Sequence, residues 1–357
     1  SLEGAVASES SDFDSSFVFA VFSLAAPKMG MRFGNEVSIF AALIILTAGI
    51  FIRSTESIIA IFAGTALVGV GIAICNVLLP AVVKFSFPQK IGLITSLYTA
   101  SMGLFASIGS AISIPLSESL GFGWKVALAF WALMTVIAII VWLPQLKHRQ
   151  KLERPQKFVQ GSDESKSIWT SSLAWFVTLF MGFQSFLFFS LVTWIPDILL
   201  ELGLPLSTGG WMVFLLQFVG IPCSFAAPII ADKLNNQKPI VVAICSCYFF
   251  GFASLLMIPN MIVIVLSILF LGVAQGAAIS LALTFLNLRT VNSQHASLLS
   301  GMAQSFGYLL ASFGPILMGY MYDVFHTWKP LLIFLLIVSV FILFFGLKAG
   351  ENRYVFH

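Results

Sequence analysis

Apolar residues in this chain fall in long unbroken blocks, not in the alternation of a half-buried strand or the one-sided spacing of a surface helix. Blocks at 37–52, 57–79, 91–114, 126–143, 173–195, 211–230, 240–258, 261–285, 298–320 and 330–347 are separated by short polar stretches. Each comes near the roughly 20 residues that a helix needs to cross a bilayer core. The pattern therefore predicts ten transmembrane helices, preceded by a shorter apolar stretch at 17–27. Residues 1–16, SLEGAVASESSDFDSS, are too polar to span and carry neither the basic start nor the apolar core of a signal peptide.

The blocks repeat. GIAICNVLLPAVVK at 71–84 lines up without a gap on GAAISLALTFLNLR at 276–289, an offset of 205. The same offset carries Ala106, Ser107 and Gly109 onto Ala311, Ser312 and Gly314. Nearby offsets set Trp124-Lys125 on Trp328-Lys329, and Ala25-Ala26-Pro27 on Ala226-Ala227-Pro228. Weak similarity between two apolar halves is the mark of duplicated transporter folds that hold a solute between the halves. The expected divisions are a polar segment at 1–16, an amino-terminal bundle at 17–143, a linker at 144–169 and a carboxy-terminal bundle at 170–357. The second half has room for two helices ahead of its Ala-Ala-Pro, the first for less than one. About one helix and part of another are missing from the sequence as given.

Composition agrees with the blocks. Hydrophobic residues make up 59% and charged residues 9%, against the roughly 25% charged of soluble domains. The net charge of +3 does not point to nucleic acid. With the linker on the cytoplasmic side, fifteen of the 18 Lys and Arg fall inside and only Arg53, Lys125 and Lys329 outside, as the positive-inside rule requires. The polybasic linker reads as an orientation signal, or as a contact for anionic lipid or a partner. The chain is expected in the cell membrane, a bacterial cytoplasmic membrane, as a multi-pass monomer.

Five stretches carry a family resemblance: GIAICNVLLPAVVKFSFP (71–88), SLYTASMG (96–103), GFQSFLFFSLVTWIP (182–196), GVAQGAAISLALTFLNLR (272–289) and LSGMAQSFGYLLASFGPILMG (299–319). In order and content they resemble the cyanate and 2-nitroimidazole transporter family of the major facilitator superfamily. The resemblance implies an all-α polytopic membrane protein with two six-helix bundles, a central cavity and alternating access. The family's first helix carries an Arg suited to anionic substrates. That helix has no counterpart in the sequence as given.

No Asp, Glu, Lys or Arg falls in the middle of a block, which argues against a charge-based proton relay within these helices. Asp197, Glu201, Asp323 and Asp232 fall near block ends and read as solvated anchors. The polar groups inside are neutral: Asn76, Tyr98, Thr99, Gln184, Gln217, Gln275, Gln304 and Tyr308. An amide in hydrocarbon must find a partner. Each either bonds a neighbouring helix or meets a solute. Gln304 and Tyr308 are four apart on one helical face. Asn76 and Pro80 are also four apart, and Pro80 leaves the carbonyl of residue 76 without its helical donor. That carbonyl marks a simple kink or a ligand contact. The site expected near mid-membrane comprises Asn76, Tyr98, Gln184, Gln275, Gln304 and Tyr308.

Residues 30–34 read as a basic loop after Pro27, similar to a degenerate inner-loop motif. The four Cys have no zinc spacing, and the four His fall in loops or at the terminus. With no phosphate loop, nucleophile elbow or metal-binding His pair, no enzyme and no cofactor is expected. The function expected is secondary transport of a small polar or weakly anionic solute, a cyanate-like ion or a nitroimidazole-like ring. The alternative is a transport-inactive or solute-sensing membrane protein.

Overall fold

The computed structural model describes residues 19, 21–55, 57–114, 123–148, 168–257 and 260–355, and every regular element among them is helical. Helix α1 occupies 21–33. It is followed by α2 (Asn35–Arg53), α3 (Ile58–Ser86), α4 (Ile91–Ile114), α5 (Gly123–Trp142) and α6 (Ser172–Glu201). Then come α7 (Leu206–Lys233), α8 (Lys238–Met257), α9 (Met261–Leu288), α10 (Ser293–Phe325) and α11 (Lys329–Ala349). The polar segment at 1–16 and residues 149–167 of the linker lie outside the described residues.

All ten expected helices form, most of them longer than their apolar blocks. α6 continues through Pro196 to Glu201, and α3 through Pro80 to Ser86. A proline removes one helical hydrogen bond. Abandoning the helix inside lipid would leave many backbone groups unpaired, so the helix goes on. Nine described stretches are long and apolar enough to cross a membrane. α10, rich in Ser, Gln and Tyr, falls short on hydropathy although it runs for 33 residues. The basic loop expected at 30–34 is a correction: residues up to 33 belong to α1. The chain turns at Gly34 alone, whose φ of 91° suits a residue without Cβ.

The chain forms two compact units. The first comprises Ser1–Ser86, Ile108–Thr170 and Asn292–Ser305. There α2 lies along α3 around a core that includes Ala26, Ile39, Ala42, Ile74, Val77 and Leu78. Polar ties join α2 to α5: Thr47 Oγ1 donates to Thr135 Oγ1 at 2.8 Å, and Trp142 Nε1 to the Glu36 carbonyl at 3.0 Å.

The second unit comprises Phe87–Ser107, Ser171–Val291 and Phe306–His357. α9 packs against α6, α7 and α8, while α11 packs against α6 and α8. Phe183 stacks on Phe341 and Phe345 with centroids 5.4 and 5.6 Å away, knitting α6 to α11. Such dispersion contacts hold helices together where lipid removes the hydrophobic driving force.

Candidate functional site

The second unit contains a cavity of about 240 Å³ with walls from α4, α6, α7, α9 and α10. Its floor is set by the crossing of α7 and α9. Gly276 lies so close to the Gly220 carbonyl that any Cβ there would overlap it. Next to this crossing, near the middle of α9, Gln275 lines the cavity. It is 3% exposed, and neither its Nε2 nor its Oε1 has a hydrogen-bond partner among the described residues. An unpaired buried amide costs about 1–3 kcal/mol.

The other polar groups lining the cavity are Thr99, Ser185, Gln217, Ser224 and Tyr308, and no charged side chain among the described residues lines it. Thr99 Oγ1 donates to the Thr95 carbonyl at 2.9 Å, and Ser224 Oγ to the Ile221 carbonyl at 2.8 Å. Ser185 differs. Its Oγ accepts from Gln184 Nε2 at 2.6 Å. Phe188, Phe189 and Tyr308 supply aromatic walls, with Phe189 edge-on to Tyr308 at 6.3 Å. The arrangement offers ring faces and a few neutral hydrogen-bonding groups. It can hold a small solute by shape and hydrogen bonds, without counter-charge.

The structure divides the six residues expected at the site. Gln275 and Tyr308 line the cavity. Gln184 lies behind the wall, fully buried, touching the cavity through Ser185. Tyr98 is half-buried, one residue before the cavity-lining Thr99. Asn76 and Gln304 fall together in the first unit. There Gln304 Nε2 donates to the Asn76 carbonyl at 2.9 Å and to Ser300 Oγ at 2.9 Å. The carbonyl that Pro80 releases is thus taken by an amide from α10. Ser185 and Ser224 were not singled out in the sequence. A lone Ser in an apolar block gives no signal, although Ser185 directly follows Gln184.

Charges at the helix ends have specific partners. Asp232 Oδ2 accepts from the Gly92 N–H at 3.1 Å in the first turn of α4. Glu201 accepts from Thr327 Oγ1 at 2.8 Å and from the Trp328 N–H at 3.2 Å, at the start of α11. Carboxylates at helix N-termini answer the unpaired N–H groups and the dipole there. Both residues are exposed, as solvated anchors would be, and each anchors the start of a neighbouring helix. Arg289, expected in a basic loop, is 2% exposed. Its Nε donates to the Ala349 carbonyl at 2.8 Å, and Nη2 to the Gly350 carbonyl at 3.3 Å and to Gln237 Oε1. Burial pushes its guanidinium down to about 10.

A helical bundle with a small charge-free cavity is compatible with several membrane protein classes. Comparison with known proteins decides among them: the family model described as Major Facilitator Superfamily matches residues 13–315. The chain belongs to that superfamily. It is 37% identical over 335 residues to the 2-nitroimidazole transporter of Escherichia coli (strain K12), covering 94% of this chain and 84% of that protein. It is 45% identical over 338 residues to "Uncharacterized transporter YycB" of Bacillus subtilis (strain 168), covering 95% and 83%. Among solved structures, the proton:xylose symporter XylE matches with a TM-score of 0.79 at 14% identity, over 99% of this chain and 89% of that one. At that identity the likeness shows the fold. The chain is an all-helical major facilitator transporter of the cell membrane, crossing it several times.

Proposed function

We propose that this transporter is a secondary active carrier of a small polar or weakly anionic solute, moved by alternating access. The solute is of the size and polarity of a nitroimidazole-like ring or a cyanate-like ion. The observation that carries the reading is Gln275, a buried amide with both ends unpaired beside a charge-free cavity of about 240 Å³. A protein bears that cost where a ligand repays it. Phe188, Phe189 and Tyr308 suit a planar ring, which fits the 2-nitroimidazole named for one relative. The absence of charge at the cavity disfavours multivalent anions, and so few polar groups disfavour sugars. The two halves at 17–143 and 170–357 are the proposed repeats, and the working unit is a monomer.

The test is uptake of radiolabelled 2-nitroimidazole and cyanate into proteoliposomes holding the full chain. Saturable uptake of either probe, weakened by Gln275→Ala, supports the reading. A folded, inserted protein that neither binds nor moves either probe overturns it.

A further inference from the structure

Ser185 is the hydroxyl that sets it apart from its neighbours at the cavity. In a helix a buried Ser or Thr ordinarily turns its proton onto the carbonyl three or four residues back. Thr99 and Ser224 do so at the cavity, and Ser280 does so elsewhere on α9, reaching the Gly276 carbonyl at 2.9 Å. Ser185 makes no such bond among the described residues, although it is 1% exposed. Its oxygen instead accepts from Gln184 Nε2 at 2.6 Å. Gln184 is fully buried, and its Oε1 has no partner among the described residues.

We infer that Gln184 is a positioning residue that turns the Ser185 O–H toward the cavity, making Ser185 the hydrogen-bond donor that selects solutes carrying an acceptor. The inference rests on the cavity being the solute site. A hydroxyl oxygen that accepts from an N–H keeps its own proton for another partner. With the Gln184 amide on one side, the remaining direction is the cavity that Ser185 lines. Thr99 and Ser224 have spent their protons on carbonyls and present lone pairs only. Ser185 thus presents a donor only, whereas the amides of Gln275 and Gln217 and the phenol of Tyr308 can each both donate and accept. A solute with a nitro, carbonyl or ring-nitrogen acceptor answers Ser185. One presenting only donors leaves that proton buried and unpaired, which disfavours it.

The experiment measures KM and kcat for 2-nitroimidazole uptake into proteoliposomes, with a melting curve for each variant of the full chain. Ser185→Ala should raise KM by roughly fivefold, the worth of one neutral hydrogen bond, with kcat unchanged and melting somewhat lowered, because Gln184 Nε2 loses its acceptor. Ser185→Thr keeps a hydroxyl and should restore much of the affinity. Gln184→Met removes the orienting N–H in a similar shape. The Ser185 proton can then fall back on its own helix, so KM should rise by the same factor or less. The double variant should be no weaker than Ser185→Ala alone, because Gln184 acts through Ser185. Losses that add, or a Gln184→Met protein that binds as well as or better than the unaltered one, overturn the inference. If Gln275→Ala weakens binding while Ser185→Ala does not, the inference fails and the cavity reading stands. If neither change affects binding, both fail.

Discussion

At the residue scale, partnered and unpartnered amides have opposite consequences. The Gln275 amide has no hydrogen-bond partner among the described residues, so replacing it removes a cost as well as a contact. Gln275→Leu should raise the melting temperature, by an amount equivalent to up to about 2 kcal/mol, while weakening binding of 2-nitroimidazole. That pairing of gain and loss marks a binding group. Gln304 is the reverse case, bonded to the Asn76 carbonyl and to Ser300. Gln304→Leu should lower stability by about 1 kcal/mol and leave affinity alone. A drop in affinity with unchanged melting would return Gln304 to the solute site. Both amides were visible in the sequence, because Gln in an apolar block stands out. Their different roles were not, since role depends on which partner a neighbouring helix supplies. Arg289 shows the same limit. Its side chain gathers the carbonyls at the end of α11 from a distance of some sixty residues along the chain, which no local pattern reveals. Arg289→Met should cost about 2 kcal/mol in a melting experiment, and Arg289→Lys should not fully restore it, because an ammonium lacks the fork.

At the element scale, the sequence shows where helices lie better than how they end. The block at 91–114 coincides with α4, because Pro88 and Lys90 precede it closely. At α6 and α10 the polar residues flanking the block hide the continuation of the helix into the interface. What fixes an end is a partner from elsewhere, as Asp232 does for α4. Gly92 is required there, since a Cβ would come 2.5 Å from that of Asp232. Asp232→Asn should lose about 0.5 kcal/mol of charge–dipole attraction, and Asp232→Ala about 1 kcal/mol as the hydrogen bond goes too. Melting curves at low and high salt check this, and a loss independent of salt would count against the dipole.

The segment after α11 offers a pH test on the same scale. Glu351 is held below the usual carboxylate range, chiefly by the hydrogen bond from Lys238 and then by the charges of Lys238, Arg353 and Lys348. A carboxyl whose pKa is lowered on folding adds stability above its unfolded pKa. That stability is lost as pH falls through the lowered folded value. Glu351 is half-buried but its basic partners are largely open to solvent, so the effect is small and local. Hydrogen exchange over 350–355, corrected for intrinsic rates, should be faster at acid pH than at neutral pH. Glu351→Gln should show the acid behaviour already at neutral pH. Equal protection across this range would remove the ion pairs from the account.

At the scale of the whole molecule, the duplicated sequence and the asymmetry of basic residues carry information that no single helix holds. The helix bearing Lys84 in its last turn and the helix followed by Arg289, α3 and α9, are the two that the proposed repeat pairs. Ten helices were readable because each apolar block keeps a spanning length. The division into two compact units along boundaries inside α4 and α10 was not readable. It depends on contacts between segments far apart in sequence. The distribution of charge makes a further commitment, to the side of the membrane on which each turn lies. Asn236, in the turn between α7 and α8, is exposed and flanked by Lys233 and Lys238, so it belongs with the basic, cytoplasmic set. His326, exposed between α10 and α11, belongs with the few outer residues. In a background whose four native cysteines are replaced, Asn236→Cys should resist a membrane-impermeant maleimide in intact cells and react after permeabilisation. His326→Cys should react in both. The reverse pattern would invert the topology, and with it the face on which Arg289 ties the ends of the second unit together.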